Sequence, residues 1–224
     1  MTQEHWTRVD EYLTDLLVSP DHNLAAALAA SDAAGLPQIQ VAPNQGKFLM
    51  LLARAQGARR ILEIGTLGGY STIWLARGLQ SDGRLITLEA VPTYAKVARE
   101  NIERAGFAKN VEVRLGRALE TLPQLAAEGL SPFDFIFLDA DKRTYPEYLE
   151  WCIKLSRRGT MIVADNVVRS GAVADAASRN ADVQGVRRFL ELLSTDPRLN
   201  ATAIQTVGTK GHDGFALAVM TKDP

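Results

Sequence analysis

Two acidic residues and an amide stand where apolar runs of this sequence end. Asp139 closes the run 133–139, and Asp165 closes the run 160–165 with Asn166 next to it. The carboxyl ends of neighbouring parallel strands meet at one edge of a sheet, so these side chains are expected to lie together. Each residue alone is also common in turns. As a set, their carboxylate and amide oxygens predict a site for Mg²⁺, with Ca²⁺ or Mn²⁺ as alternatives; scattered histidines and a single cysteine do not suit zinc.

Lys142 lies three residues after Asp139 and is the candidate general base. A lysine beside a bound divalent cation has its protonated form disfavoured, so it can accept a proton from a reacting hydroxyl. The alternative is a surface lysine that pairs with Asp141. The sequence alone does not decide between the two.

A glycine-rich turn follows the first predicted strand. Residues 61–64 predict that strand, Gly65, Gly68 and Gly69 follow it, and residues 70–78 have helical spacing. A strand, a glycine turn and a helix in this order present backbone N–H groups to a nucleotide-like ligand. The spacing is G-x-x-G-G rather than the G-x-G-x-x-G of dinucleotide-binding proteins. The turn therefore predicts an adenosine-containing cofactor and leaves its identity open.

Three polar residues frame this turn. Glu63 lies late in the first predicted strand, and Glu89 ends the second, 24 residues after Gly65. An acid at that point can accept hydrogen bonds from both hydroxyls of a ribose, or it can be a solvated carboxylate at a strand end. Ser71 is either a cap of the following helix or a donor to a carboxylate of the ligand.

The order of predicted elements indicates an α/β fold. Strands and helices alternate over residues 57–224, which predicts a Rossmann-like, doubly wound and mostly parallel sheet. The last two strands, 201–207 and 215–220, have no helix between them and predict an antiparallel hairpin with its turn at 211–214. We expect one domain over the whole chain, with helices over residues 1–56.

The N-terminal helices have no assigned role in the pattern. Asn44 is expected to cap the third of them, after Pro43. These helices could cover a cleft, form a dimer face or pack as plain scaffold, and the pattern does not choose. The first helix places several apolar side chains on one face: Trp6, Val9, Leu13, Leu16 and Leu17.

Composition excludes some classes of partner. The formal net charge is −1 and 46% of the residues are hydrophobic, so no broad positive field favours nucleic acid or an anionic membrane. Cys152 cannot form an internal disulfide and is expected to be a small buried side chain. The first residues lack a secretion signal and no apolar run has membrane-spanning length, so we expect a cytoplasmic protein.

Together these residues resemble the cation-dependent, S-adenosylmethionine-dependent O-methyltransferases, the group that includes caffeoyl-CoA and catechol O-methyltransferases. Three segments carry the resemblance: residues 62–71, 135–145 with Tyr148, and 162–166. Their order and separation fit as well, so the resemblance extends from about residue 40 to the C-terminus.

The resemblance implies roles for individual residues. Asp139, Asp165 and Asn166 match the metal ligands, and Lys142 matches the base of the catechol enzymes, with Asp139 also counted as catalytic. The acceptor implied is a small aromatic molecule with vicinal hydroxyls, and the assembly implied is a homodimer. Ser170 replaces a substrate-contacting Asn of the plant enzymes, which argues against a coenzyme A thioester. The positions that match cofactor contacts are Val41, Glu63, Gly65, Thr66, Ser71, Glu89, Ala118, Asp139 and Asp141.

Two other functions remain open from the residues themselves. A nicotinamide-dependent oxidoreductase explains the glycine turn and Glu89 but gives Asp139 and Asp165 no task. A non-catalytic cofactor-binding protein explains the turn without any divalent cation.

Overall fold

A seven-stranded sheet forms the centre of the computed structural model, which describes residues 2–224. The strand order is β3-β2-β1-β4-β5-β7-β6. Strands β1 to β5 pair in parallel, whereas β7 pairs antiparallel with both β5 and β6. The predicted doubly wound sheet with a C-terminal hairpin is therefore confirmed. The strands are β1 (Arg60–Ile64), β2 (Arg84–Glu89), β3 (Val111–Leu115), β4 (Phe135–Leu138), β5 (Met161–Asp165), β6 (Leu199–Gly208) and β7 (Gly211–Met220).

Eight α-helices are present in the described chain, and three of them precede the sheet. Proline opens two helices, at Pro43 and Pro92, where its missing N–H and fixed φ fit the first turn. Short 3₁₀ turns cover Lys142–Thr144 and Arg169–Ala174. The helices are α1 (Gln3–Leu17), α2 (His22–Ala33), α3 (Pro43–Ala55), α4 (Tyr70–Gly78), α5 (Pro92–Arg104), α6 (Ala118–Ala127), α7 (Tyr145–Lys154) and α8 (Ala181–Thr195).

Each face of the sheet has its own apolar core. Because side chains alternate along a strand, Leu62 of β1 contributes to one core and Ile61 to the other. The first core includes residues of α6, α7 and α8, and the second includes residues of α2, α3, α4 and α5. Cys152 is fully buried in the first core, and burial raises the pKa of its thiol to about 12, in agreement with a packing role.

The hairpin turn is not where the sequence predicted it. Strands β6 and β7 pair from Leu199 with Met220 to Gly208 with Gly211, which leaves only Thr209 and Lys210 as the turn. Gly214 lies inside β7, where a Cβ would come within 2.3 Å of a backbone oxygen of β6. The glycine is required there by close packing of the strands, not by a turn.

The predicted cap of α3 is also wrong. Ala42 precedes the helix and Pro43 is its first residue, so Asn44 lies inside the first turn. The side chain of Asn44 instead donates a hydrogen bond of 2.9 Å to Asp10 of α1.

The apolar face predicted for α1 is largely exposed to solvent. No residue of α1 is buried, and Leu16 and Leu17 are 63% and 61% exposed. Trp6 is half-buried. Among residues 2–224, no helix is long and apolar enough to span a bilayer.

Candidate active site

The predicted metal ligands meet at the carboxyl ends of β4 and β5. Leu138 pairs with Ala164 in parallel register. Asp139 and Asp165 follow these two residues directly, so they lie side by side at the end of the sheet. Asn166 comes next, with a left-handed φ of 57° that turns the chain away from β5. We call these three residues the strand-end rim.

The two carboxylates of the rim repel each other. Asp165 is 5% exposed, and its pKa is raised to about 7, first by burial and then by the negative charge of Asp139. A divalent cation between the two carboxylates would relieve that repulsion. No cluster of three or more His, Cys, Asp or Glu side chains suited to a metal occurs among residues 2–224. Asn166 lines one cavity with Asp139 and another with Asp165, so its amide could supply a third oxygen, and such a set would suit an oxygen-preferring cation.

Lys142 is held at the same rim. Its side chain is 8% exposed, and Nζ donates hydrogen bonds to Oδ1 of Asp139 at 2.8 Å and to the hydroxyl of Tyr145 at 2.7 Å. The alternative of a surface lysine paired with Asp141 is wrong. Asp141 instead accepts hydrogen bonds from the hydroxyls of Tyr148, at 2.7 Å, and Thr144.

Tyr145 is a residue of the site that sequence reasoning missed. Its ring is fully buried at the start of α7, and its hydroxyl lies 2.9 Å from the carbonyl oxygen of Asp165 and 3.1 Å from that of Leu138. The hydroxyl donates its proton to these carbonyls and so accepts the hydrogen bond from Lys142. Burial and then the charge of Asp139 hold the pKa of Tyr145 well above its usual value. Nothing in the pattern distinguished this tyrosine from a core aromatic.

The glycine turn packs directly against the rim. Gly65 has a φ of +104°, and a Cβ there would lie 2.0 Å from the carbonyl oxygen of Asp139. Only glycine allows that approach. The carboxylate of Glu89 ties the turn to the end of β2. One of its oxygens accepts the backbone N–H of Leu67 in the turn, at 2.8 Å, and the other accepts that of Val91, just before α5, at 2.9 Å. The glycine turn is therefore in direct contact with the rim at Asp139.

Glu63 lies fully buried beneath the turn. It accepts hydrogen bonds from the hydroxyls of Ser71, Thr72 and Thr87. Burial nevertheless raises its pKa to about 7. Ser71 is not the cap of α4, because Gly69 with a φ of 81° occupies that position. The sequence did not indicate the two threonines as partners of Glu63.

A cavity of about 470 Å³ extends from the glycine turn to the rim. Lys142 and Asn166 also line it, so the cavity joins the turn to the metal-ligand candidates. Glu63, Glu89 and Ala118 do not line it. Glu89 forms a hydrogen bond to the backbone of the turn, Glu63 accepts hydrogen bonds from the first residues of α4, and Ala118 begins α6. Their roles as cofactor contacts stay predictions. The residues predicted to contact the cofactor that line this cavity are Val41, Gly65, Thr66, Ser71, Asp139 and Asp141.

Comparisons with known proteins agree with this geometry. Residues 19–219 match a family model described as O-methyltransferase. The chain belongs to the O-methyltransferase family. A catechol O-methyltransferase of Mycobacterium tuberculosis is 58% identical over 212 residues, 95% of this chain and 94% of the relative. A catechol O-methyltransferase of Niastella koreensis is 52% identical over 220 residues, 98% of this chain and all of the relative.

A solved O-methyltransferase has nearly the same fold. The Bacillus cereus enzyme, in complex with SAH, is 57% identical with a TM-score of 0.97, over 98% of this chain and all of that chain. The resemblance to S-adenosylmethionine-dependent O-methyltransferases is thus confirmed. Membership of the O-methyltransferase family also decides against the nicotinamide-dependent oxidoreductase.

Proposed function

We propose that this O-methyltransferase transfers the methyl group of S-adenosylmethionine to one hydroxyl of a small aromatic molecule with vicinal hydroxyls, assisted by a divalent cation, preferably Mg²⁺. One observation carries the proposal: Asp139 lines the cavity of about 470 Å³ that reaches the glycine turn, lies beside Asp165 and accepts a hydrogen bond from Nζ of Lys142 at 2.8 Å. Donor, cation and base would therefore meet at one carboxylate. The names of the two catechol O-methyltransferase relatives support the acceptor class.

The glycine turn and the two acids beside it support S-adenosylmethionine as the donor. Gly65 lets the backbone approach closely, and each oxygen of Glu89 keeps lone pairs that could accept hydrogen bonds from ribose hydroxyls. The buried carboxylate of Glu63 places negative charge under the turn when it is ionised, which suits a cationic ligand. The Bacillus cereus relative in complex with SAH, the demethylated form of the donor, supports the same cofactor.

Asp139, Asp165 and Asn166 would hold the cation. A bound divalent cation can coordinate two neighbouring hydroxyls and lower their pKa, as it does for water. Lys142 takes the proton of the reacting hydroxyl at Nζ, where hydrogen bonds to Asp139 and Tyr145 keep the amine in position. The oxygen then forms a bond to the methyl carbon as the carbon–sulfur bond breaks and the sulfonium becomes a neutral thioether. Alignment of the reacting atoms can supply about 7–11 kcal/mol of the barrier reduction.

We also propose a homodimer as the assembly. The exposed apolar side chains of α1, with Leu16 and Leu17 at its C-terminal end, form a surface that a second copy could cover. The cytoplasmic location and the absence of nucleic-acid or membrane partners stay predictions from composition.

The test of the proposed function combines two variants with a panel of vicinal diphenols. Lys142→Ala should lower kcat by about 10²–10⁴-fold, the usual contribution of a general base. Asp165→Ala should abolish cation-dependent turnover, because it removes one of two charged ligands. Both variants should bind S-adenosylmethionine with wild-type affinity in calorimetry. Full turnover by Lys142→Ala would remove the base assignment, and a wild-type protein that binds the donor but methylates no diphenol would support a non-catalytic binding protein.

A further inference from the structure

A second cavity, of about 320 Å³, adjoins the strand-end rim. It shares Asn166 with the first cavity, which reaches the glycine turn, and its other walls come from α1, α3, Asp165 and the β6–β7 hairpin. Gln45, in the first turn of α3, lines this second cavity. The functions assigned above do not use Gln45.

Gln45 makes one direct contact with the rim. Its Nε2 donates a hydrogen bond of 2.7 Å to Oδ2 of Asp165, although 120 residues separate the two in sequence. The other oxygen, Oδ1, accepts the backbone N–H of Asn166 at 2.8 Å. Each oxygen of the Asp165 carboxylate thus has one N–H donor from the protein and keeps a lone pair for a further partner.

The neighbours of Gln45 fix its place. Gly46 packs so closely on Trp74 of α4 that a Cβ at Gly46 would lie 2.3 Å from the indole ring. Asn44, on the other side, is tied to Asp10 of α1 by a hydrogen bond of 2.9 Å. The first turn of α3 is therefore held by contacts on both sides of Gln45. A side chain that orients a metal ligand must itself be held in place in this way.

We propose that Gln45 is a positioning residue for the divalent cation: its amide holds the Asp165 carboxylate in the orientation that lets it share a cation with Asp139 and Asn166. The inference rests on the proposed function, because it requires a cation at the rim. Removing a hydrogen-bond partner of a metal ligand typically weakens metal affinity by about 10–100-fold. The methyl donor would occupy the other cavity, so its affinity should not depend on Gln45.

A purely structural glutamine would behave differently. If Gln45 only satisfied a buried carboxylate, its loss would lower the free energy of unfolding but leave the cation affinity of the folded protein unchanged. Cation affinity therefore separates the two roles.

The test is a titration of Mn²⁺ into the chelator-treated, full-length protein, with free Mn²⁺ followed by electron paramagnetic resonance. Gln45→Met keeps the length of the side chain and removes the amide. Gln56→Met is the matched control, because Gln56 lies at the other end of α3 and its amide donates to the backbone oxygen of Gly159. The Kd for Mn²⁺ should rise about 10–100-fold in Gln45→Met and less than about twofold in Gln56→Met. The Kd for S-adenosylmethionine should be the same in all three proteins.

Turnover gives a second readout. The apparent KM for Mn²⁺ should rise in Gln45→Met, while kcat at saturating Mn²⁺ stays near the wild-type value. Wild-type Mn²⁺ affinity in folded Gln45→Met overturns the inference and leaves the proposed function intact. If the wild-type protein does not bind Mn²⁺, the proposed cation site at the rim is refuted, and the inference about Gln45 with it. If Gln45→Met does not fold, Gln45→Asn, which withdraws the amide by one methylene group, must show the same rise in Kd.

Discussion

The buried carboxylate of Glu63 should make stability fall as pH rises. Burial raises its pKa from 4.5 to about 7, even though three hydroxyls donate to it. Because the folded pKa lies above the unfolded value, the folded state holds this proton more tightly. The stabilisation is complete below about pH 4.5 and is lost as the pH rises through about 7. A shift of this size corresponds to about 3 kcal/mol in the free energy of unfolding.

Urea unfolding of the cofactor-free protein between about pH 5 and pH 8 measures this effect. The variant Glu63→Gln cannot titrate, so the difference in free energy of unfolding between wild type and variant should fall by about 2.5 kcal/mol over that range. The control is Glu100→Gln on α5, where the side chain is exposed and solvated in both states. If the free energies of unfolding of wild type and Glu63→Gln changed in parallel with pH, the argument would be refuted. The pKa of Glu63 would then be the same in the folded and unfolded states.

Three other substitutions probe the turn, the base and the exposed helix. Gly65→Ala should abolish donor binding in calorimetry, because its Cβ would lie 2.0 Å from the backbone oxygen of Asp139; micromolar binding would contradict this. Tyr145→Phe should lower kcat about 10-fold and the free energy of unfolding by about 1–3 kcal/mol, since the amine of Lys142 loses an acceptor; unchanged kcat would exclude a positioning role. Leu17→Glu should convert a dimer to a monomer in light scattering with little change in monomer stability, because Leu17 is 61% exposed; a wild-type monomer would refute the dimer.

The parallel sheet could be predicted because its strands are buried on both faces. Residues 61–64 and 135–138 are uninterrupted apolar runs except for Glu63, and such runs between helices predict central strands. The strand-end acids could be found for the same reason, since the end of an apolar run marks the functional edge of the sheet. That logic located Asp139 and Asp165 correctly at neighbouring strand ends.

Contacts between residues distant in sequence could not be predicted. Tyr145 and Gln45 both contact Asp165, across 20 and 120 residues, and no local pattern connects them. The structural role of a glycine was ambiguous as well. Gly214 allows two strands to pack closely, whereas Gly65 allows the turn to approach Asp139. The residue type alone does not distinguish these roles. For α1, periodicity identified the apolar face but not that this face is largely exposed to solvent.

The most direct test of the proposed chemistry is methyl transfer from S-adenosylmethionine to 1,2-dihydroxybenzene and its 1,3-isomer, using chelator-treated enzyme with and without Mg²⁺. Mass spectrometry of the products distinguishes the acceptors. Asp139, Asp165 and Asn166 would hold a cation that only adjacent hydroxyls can share, so we expect monomethylated product from the 1,2-isomer with Mg²⁺ and none otherwise. Equal methylation without a divalent cation, or of the 1,3-isomer, would contradict the proposed function.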